Sequence, residues 1–123
     1  MLALATPREA YRRVAFDARI AGAAPQELVL LCLDEFVVAL GGALVAHDRR
    51  DGSGRSKALT RALAVLTTLQ LGVDRDNAAA AALLHLYEAA RRSLLDNAAA
   101  FDPARVAAIR QDFVDIAGAL APH

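Results

Sequence analysis

Apolar residues recur at helical spacing along most of this chain, and no stretch shows the period-two alternation of β-branched residues that a half-buried strand requires. Start and stop signals divide the pattern into four helices. The first opens at Ala23-Ala24-Pro25-Gln26-Glu27 and runs to about Asp48. Proline suits the first helical position, and Glu27 adds negative charge at the positive end of the helix dipole. The run Leu28-Val29-Leu30-Leu31-Cys32-Leu33 then puts apolar side chains all round the helix. A bundle helix with one wet face needs an apolar stripe only about 100° wide. Surplus apolar surface is therefore predicted to face outward from this helix.

The cluster Arg49-Arg50-Asp51-Gly52-Ser53-Gly54 is predicted to end it, since its glycines disfavour both helix and strand. A second helix is expected from Ser53 or Ser56 through Leu59, Ala62, Leu63, Leu66 and Leu69 to Leu71-Gly72. A third begins after Asp74 or Asp76, with Asn77 as a further cap candidate, and carries Leu83, Leu86, Tyr87, Ala90 and Leu94 to near Asn97. The fourth has the clearest beginning, with Asp102 as N-cap and Pro103 at the first helical position. Val106, Ile109, Phe113, Ile116 and Leu120 follow at alternating spacings of three and four, the pattern of a bundle seam.

Short links between four such helices predict an all-α fold, an antiparallel up-down-up-down four-helix bundle over residues 25–121 with an N-terminal extension. Leu66, Leu83, Phe113 and Ile116 are expected in its core. Residues 1–24 form the extension, in which Tyr11, Val14, Phe16 and Ile20 are irregularly spaced among charges. It is expected to be partly ordered, because leaving Tyr11 and Phe16 in water forgoes roughly 1.5–3 kcal/mol each.

Composition narrows the function. A chain of 123 residues makes one domain and buries roughly two thirds of its unfolded surface without metal or disulfides. Its one cysteine, Cys32, excludes an internal disulfide. Fourteen basic residues balance fourteen acidic ones, so the positive field that attracts nucleic acid is absent. The N-terminus lacks a basic segment ahead of its short apolar run, and charges interrupt the later runs, so a soluble cytoplasmic protein without membrane insertion is expected.

Catalytic patterns are nearly absent. A di-iron bundle needs two Glu-x-x-His motifs and two further glutamates, whereas this chain offers only the reversed His85-Leu86-Tyr87-Glu88. His85 would suit a phosphotransfer histidine only with basic neighbours, and leucines and Tyr87 surround it in sequence. Cys32 lies in an apolar run that disfavours its thiolate. Asp34 and Glu35 are adjacent on a helix and point about 100° apart. Gly52-Ser53-Gly54 fits no phosphate loop. No catalytic, cofactor-binding or metal-binding residue is predicted, and the chain is read as a non-enzyme.

Several short motifs stand in a recognisable order: Ala10-Tyr11, then Ala23, Pro25, Leu28-Val29 and Asp34, then Leu69-Gln70-Leu71-Gly72-Val73-Asp74, then Leu83-Leu84-His85-Leu86-Tyr87-Glu88 with Arg92 and Leu94-Leu95. Over roughly Tyr11 to Leu120 the chain resembles the flagellar secretion chaperones of the FliS type. Departures from the family pattern are Ala24 in place of a capping Ser or Thr, Leu33 before Asp34 in place of an aromatic, Ala89 in place of a second Tyr, Leu120 in place of a Trp, and a link shortened to Arg75-Asp76-Asn77.

The resemblance implies a cytosolic export chaperone that binds the C-terminal helical segment of flagellin, prevents its premature polymerisation and delivers it to a component of the flagellar export gate. An amphipathic client segment of this kind lays apolar anchors at helical spacing into grooves on the bundle. Leu30, Leu33, Leu69, Leu71, Leu83 and Tyr87 are the expected contacts on the helices, and Tyr11, Phe16 and Ile20 those on the extension. The stretch from Tyr11 to Ile20 is further expected to act as a lid over part of the groove while the client is absent. Two other readings stay open: a homodimer whose apolar faces meet, with no client, and a histidine phosphotransfer domain using His85.

Overall fold

All four predicted helices are present, each fixed at its ends by a different local device. The computed structural model describes residues 25–121, so Tyr11, Phe16 and Ile20 lie outside the described residues. Helix α1 spans Pro25–Asp48, α2 Gly52–Leu71, α3 Ala80–Ala99 and α4 Pro103–Leu120, and no strand occurs among the described residues.

Glu27 in its first turn and His47 in its last complement the dipole of α1. Beyond Asp48 the chain closes a Schellman motif, in which the Asp51 N–H donates to the Ala46 carbonyl at 2.8 Å and the Arg50 N–H to that of His47 at 3.0 Å. Arg50 occupies the left-handed position at φ 56°, where glycine is the usual residue. An Arg50→Gly variant should therefore be more stable by about 1 kcal/mol, seen as a higher midpoint in urea.

Helix α2 begins earlier than Ser53 or Ser56. Asp51 is its N-cap, accepting from the Gly54 N–H at 2.9 Å, and the glycines that were expected to break the helix form its first turn. A side chain at Gly54 would run into the Asp51 carboxylate, whereas one at Gly52 would meet open space. Helix α3 begins later than Asn77. The Asn77 carboxamide oxygen instead accepts from the Ala79 N–H at 2.8 Å, and the Asp74 carboxylate from the Asp76 N–H at 3.0 Å. These Asx bonds hold the backbone in successive turns until Ala80. Helix α4 starts as expected, with the Asp102 carboxylate accepting from the Ala104 and Arg105 N–H groups and Pro103 at the first position.

The helices form a ring in which α1 packs on α2 and α4, and α3 packs on the same two, so α1 and α3 stand diagonally opposed. Neighbours are antiparallel, as the pairs Glu35–Arg61, Gln70–Glu88, Tyr87–Phe113 and Phe36–Phe113 require. Small residues bring α1 and α2 closest. Ala39, Ala43 and Ala46 on one helix and Ala62 on the other are all buried. At the centre, the Phe113 ring lies 4.4 Å from that of Phe36 and 6.1 Å from that of Tyr87, joining α1, α3 and α4. Leu66 and Phe113 are buried as expected, whereas Leu83 and Ile116 are half-buried and pack against the core from its edge.

One end of the bundle is closed by polar and aromatic contacts. His47 stacks on Phe101 at 4.6 Å, and the Arg55 guanidinium lies over the same ring at 5.2 Å. Buried Asn97 donates to the Ser93 carbonyl and accepts from the Asp102 N–H, so it leaves no orphan polar group while tying α3 to α4. At the other end, where α1 and α3 begin, Leu28, Leu30, Leu31, Leu83 and Leu84 are only half-buried and Leu71 and Leu120 are exposed. The seam of α4 therefore loses its cover along its length: Val106, Ile109 and Phe113 are enclosed, Ile116 partly so, and Leu120 is 42% exposed.

Candidate partner-binding surface

The described residues contain no cluster of His, Cys, Asp and Glu able to hold a metal ion. His85 is exposed on α3, and Glu88, one turn on, is engaged by Gln70 and Arg92. Cys32 is buried in the core, and burial pushes its thiol up, with Arg61 opposing and Glu35 adding to the shift. Burial likewise pushes the Tyr87 phenol up, with Cys32 adding to it. Both groups are neutral in the core, the state expected of structural and not catalytic side chains.

These shifts carry a pH dependence of stability. A denatured chain loses the two protons near their ordinary values of 9.0 and 10.0, ahead of the native state. Stability is then fully present below those values and lost as pH rises through the raised native ones. Thermal midpoints should hold level to about pH 9 and fall above it. Tyr87→Phe should flatten the upper part of that fall.

Besides Val114 and Leu120 on α4, the exposed large apolar residues lie on two faces. The first lies along α2 and α3. A polar clasp spans these helices: the Arg91 guanidinium donates to the Thr67 hydroxyl at 2.7 Å and to the Gln70 side-chain oxygen at 2.7 Å, and the Gln70 amide donates to Glu88 at 3.3 Å. Glu88 in turn pairs with Arg92. Leu84 and Leu95 stand at helical spacing from Glu88 and Arg91, and Leu63 and Leu71 at helical spacing from Thr67 and Gln70, so leucines flank the clasp on the same side of both helices. Leu71 is 83% exposed, Leu95 53% exposed, and Leu63 and Leu84 are half-buried. The clasp fixes the spacing of the two helices and leaves apolar anchors on either side.

The second face is the outward side of α1, where Val38 and Val45 are exposed. By length and composition α1 is apolar enough to cross a membrane. Its inner face nevertheless carries Leu33, Phe36, Leu40 and Ala43, all fully enclosed in the bundle core.

The expected contact residues separate into three groups. Leu71 is fully available, and Leu30 and Leu83 are half-buried at the loosely covered end. Leu33, Leu69 and Tyr87 belong to the core, which corrects their reading as surface contacts: each faces inward on its helix, and a partner would reach them only by opening the bundle. Tyr11, Phe16 and Ile20 fall outside the described residues. Leu63, Leu84 and Leu95, which flank the clasp, are not among the contacts expected from the sequence. The spacing of 84, 88, 91 and 95 on α3 is a second helical stripe offset from the core stripe of 87, 90 and 94, and it was the available signal.

Comparison with curated proteins finds no match. A comparison with protein families matches residues 7–119 to the family described as flagellar protein FliS. That span takes in all four helices but for the last residue of α4, and the motif order and the four-helix architecture agree with it. The chain belongs to the FliS family of flagellar proteins.

Proposed function

We propose that this chain is a cytoplasmic export chaperone for flagellin, holding the client's amphipathic C-terminal segment against the α2–α3 face until it reaches the export gate. Family membership carries the coarser role, a flagellar chaperone. The observation that supports the finer one is the α2–α3 face, where exposed Leu71 and Leu95 and half-buried Leu63 and Leu84 surround a satisfied polar clasp. An apolar helical face fits such a surface through anchors at i, i+3, i+4 and i+7.

The energetics suit a client that is disordered when free. Ordering such a segment costs several kcal/mol, so a tight complex must bury a large apolar area. Covering a fully exposed leucine contributes roughly 1.5–3 kcal/mol, so Leu71 and Leu95 offset the most, half-buried Leu63 and Leu84 offset less, and the client must cover further apolar surface beyond these four. A client held this way lacks the free amphipathic helix it needs to polymerise, and no chemistry is required of the chaperone.

The stretch from Tyr11 to Ile20 is proposed as an intramolecular competitor for the same apolar surface. Calorimetric titration with a synthetic flagellin C-terminal peptide tests both parts. Affinity should change less than about threefold between low and physiological salt, because apolar burial is not screened. Truncation just before Gly22 should leave the helices folded, leave affinity unchanged or tighter, and increase self-association. Loss of binding on truncation with the bundle intact would make Tyr11 and Phe16 direct contacts. A steep salt dependence would contradict the apolar mode.

A further inference from the structure

Four arginines are half-buried among the described residues, and three of them have partners. Arg55 donates to the His47 ring at 3.2 Å, Arg61 to the Glu35 carboxylate at 3.3 Å, and Arg91 to Thr67 and to Gln70 at 2.7 Å each. Arg110 on α4 has no hydrogen bond or ion pair to any described residue. Its Nε is enclosed, and it is the one buried side-chain polar atom without a hydrogen-bond partner among the described residues.

The surroundings of Arg110 are apolar. Its side chain reaches across to α1, where a Cβ on Gly41 would stand 3.5 Å from the Nε. Helical spacing puts Gly41 between Val38 and Val45 on one side of α1, and Val114 one turn beyond Arg110 on α4. Val38 is 46%, Val45 50% and Val114 37% exposed. A cation thus stands alone among exposed valines in the groove between α1 and α4. Enclosing a charged donor without an acceptor is costly, and an unbranched apolar side chain would cover Gly41 without that cost. The arginine suits a place whose acceptor comes from outside the bundle.

We propose that the α1–α4 groove binds a helical segment of another polypeptide that sets a carboxylate side chain on Arg110 and apolar side chains on the valines. A carboxylate matches the guanidinium fork and can accept from the Nε and a terminal nitrogen together. Val38 and Val45 lie about 10 Å apart at the helical rise per residue, so the fitting segment carries apolar residues seven apart with Asp or Glu between them. A nucleic acid or another polyanion needs several cations in a row, and valines stand where those would be. In the ring of helices this groove is opposite the α2–α3 face, so both can be occupied at once, and the inference does not depend on the client proposed above.

A synthetic peptide of alanine and glutamine, blocked at both ends, with two leucines seven residues apart and a glutamate between them, tests it against the full chain by NMR titration. The Gly41 amide and the Arg110 Nε–H signals should move, and a second peptide with glutamine in place of the glutamate should bind about tenfold more weakly. Arg110→Gln should erase the difference between the two peptides with an unchanged circular dichroism spectrum. Val114→Glu, which supplies a carboxylate one turn from Arg110 on the same helix, should abolish binding of the glutamate peptide. Equal affinity of the two peptides for the wild-type chain, or no binding of either, overturns the proposal. So does a preference for glutamate that survives Arg110→Gln, or signal changes that fall on Leu71 and Leu95 and spare Gly41.

Discussion

Replacing Phe113 with alanine should destabilise the bundle by about 3–5 kcal/mol. Its ring is 1% exposed and is the common neighbour of Phe36 and Tyr87, so its removal opens a cavity facing two other aromatic side chains at once. The surroundings can relax only partly. Helix α1 is held by close packing on α2, and α3 is held by the Arg91 clasp and by Asn97, so neither can move in without breaking those contacts. Single domains of this size have about 5–15 kcal/mol of stability, so the variant stands near the edge of folding. Urea titration should show a much lower midpoint with an unchanged slope. Phe113→Leu, which leaves a smaller gap, should lose well under half as much. Equal losses for the two variants would mean that the aromatic contacts, and not the filled volume, hold the centre together.

Leu71→Glu should weaken capture of the flagellin peptide by more than about tenfold while leaving the bundle intact. At 83% exposure the leucine contributes almost nothing to the folded chain, so its replacement is nearly free for stability. Binding is where it acts. Covering a leucine stabilises by roughly 1.5–3 kcal/mol, and the glutamate that replaces it would have to be desolvated beneath the client without a partner. Leu95→Glu, beyond Arg91 on α3, should act in the same direction with a smaller effect. Calorimetry with the peptide reads the affinity, and circular dichroism checks the fold. Unchanged affinity in both variants would remove the α2–α3 face from consideration.

How much of this was legible in the sequence depended on whether local chemistry alone sets the feature. Pro25 and the Asp102-Pro103 pair fix helix starts through their own backbone and side-chain properties, and both helices begin where those residues indicate. The link after α1 was misread because the Schellman closure uses Arg50, a residue without any composition signal for the left-handed region. With Arg50 and Asp51 completing the turn, the glycines behind them were released to begin α2. Asn77 bonds to backbone two residues on, as a cap candidate does, yet the same bond stabilises a turn, and local sequence does not separate the two outcomes.

The binding surface was less legible than the fold, for a related reason. A helix that is apolar all round, such as the start of α1, has no phase, so its sequence predicts surplus surface without saying which residues carry it. Leu33 and Leu30 look alike in sequence, and only packing places the first in the core and the second at its margin. Tyr87, an expected contact that also stands in the apolar pattern of its helix, turns its ring inward and fills the space beside Phe113. Leu71 is exposed because it is the last residue of its helix, beyond the reach of the core stripe of Leu59, Leu66 and Leu69.

Hydrogen-exchange mass spectrometry of the full chain, alone and saturated with the flagellin C-terminal peptide, tests the client face most directly. Binding on the α2–α3 face should slow exchange across 63–71 and 84–95, leaving the middle of α1 and the start of α4 unchanged. Protection confined to α1 or α4, or no protection at saturating peptide, would contradict the account.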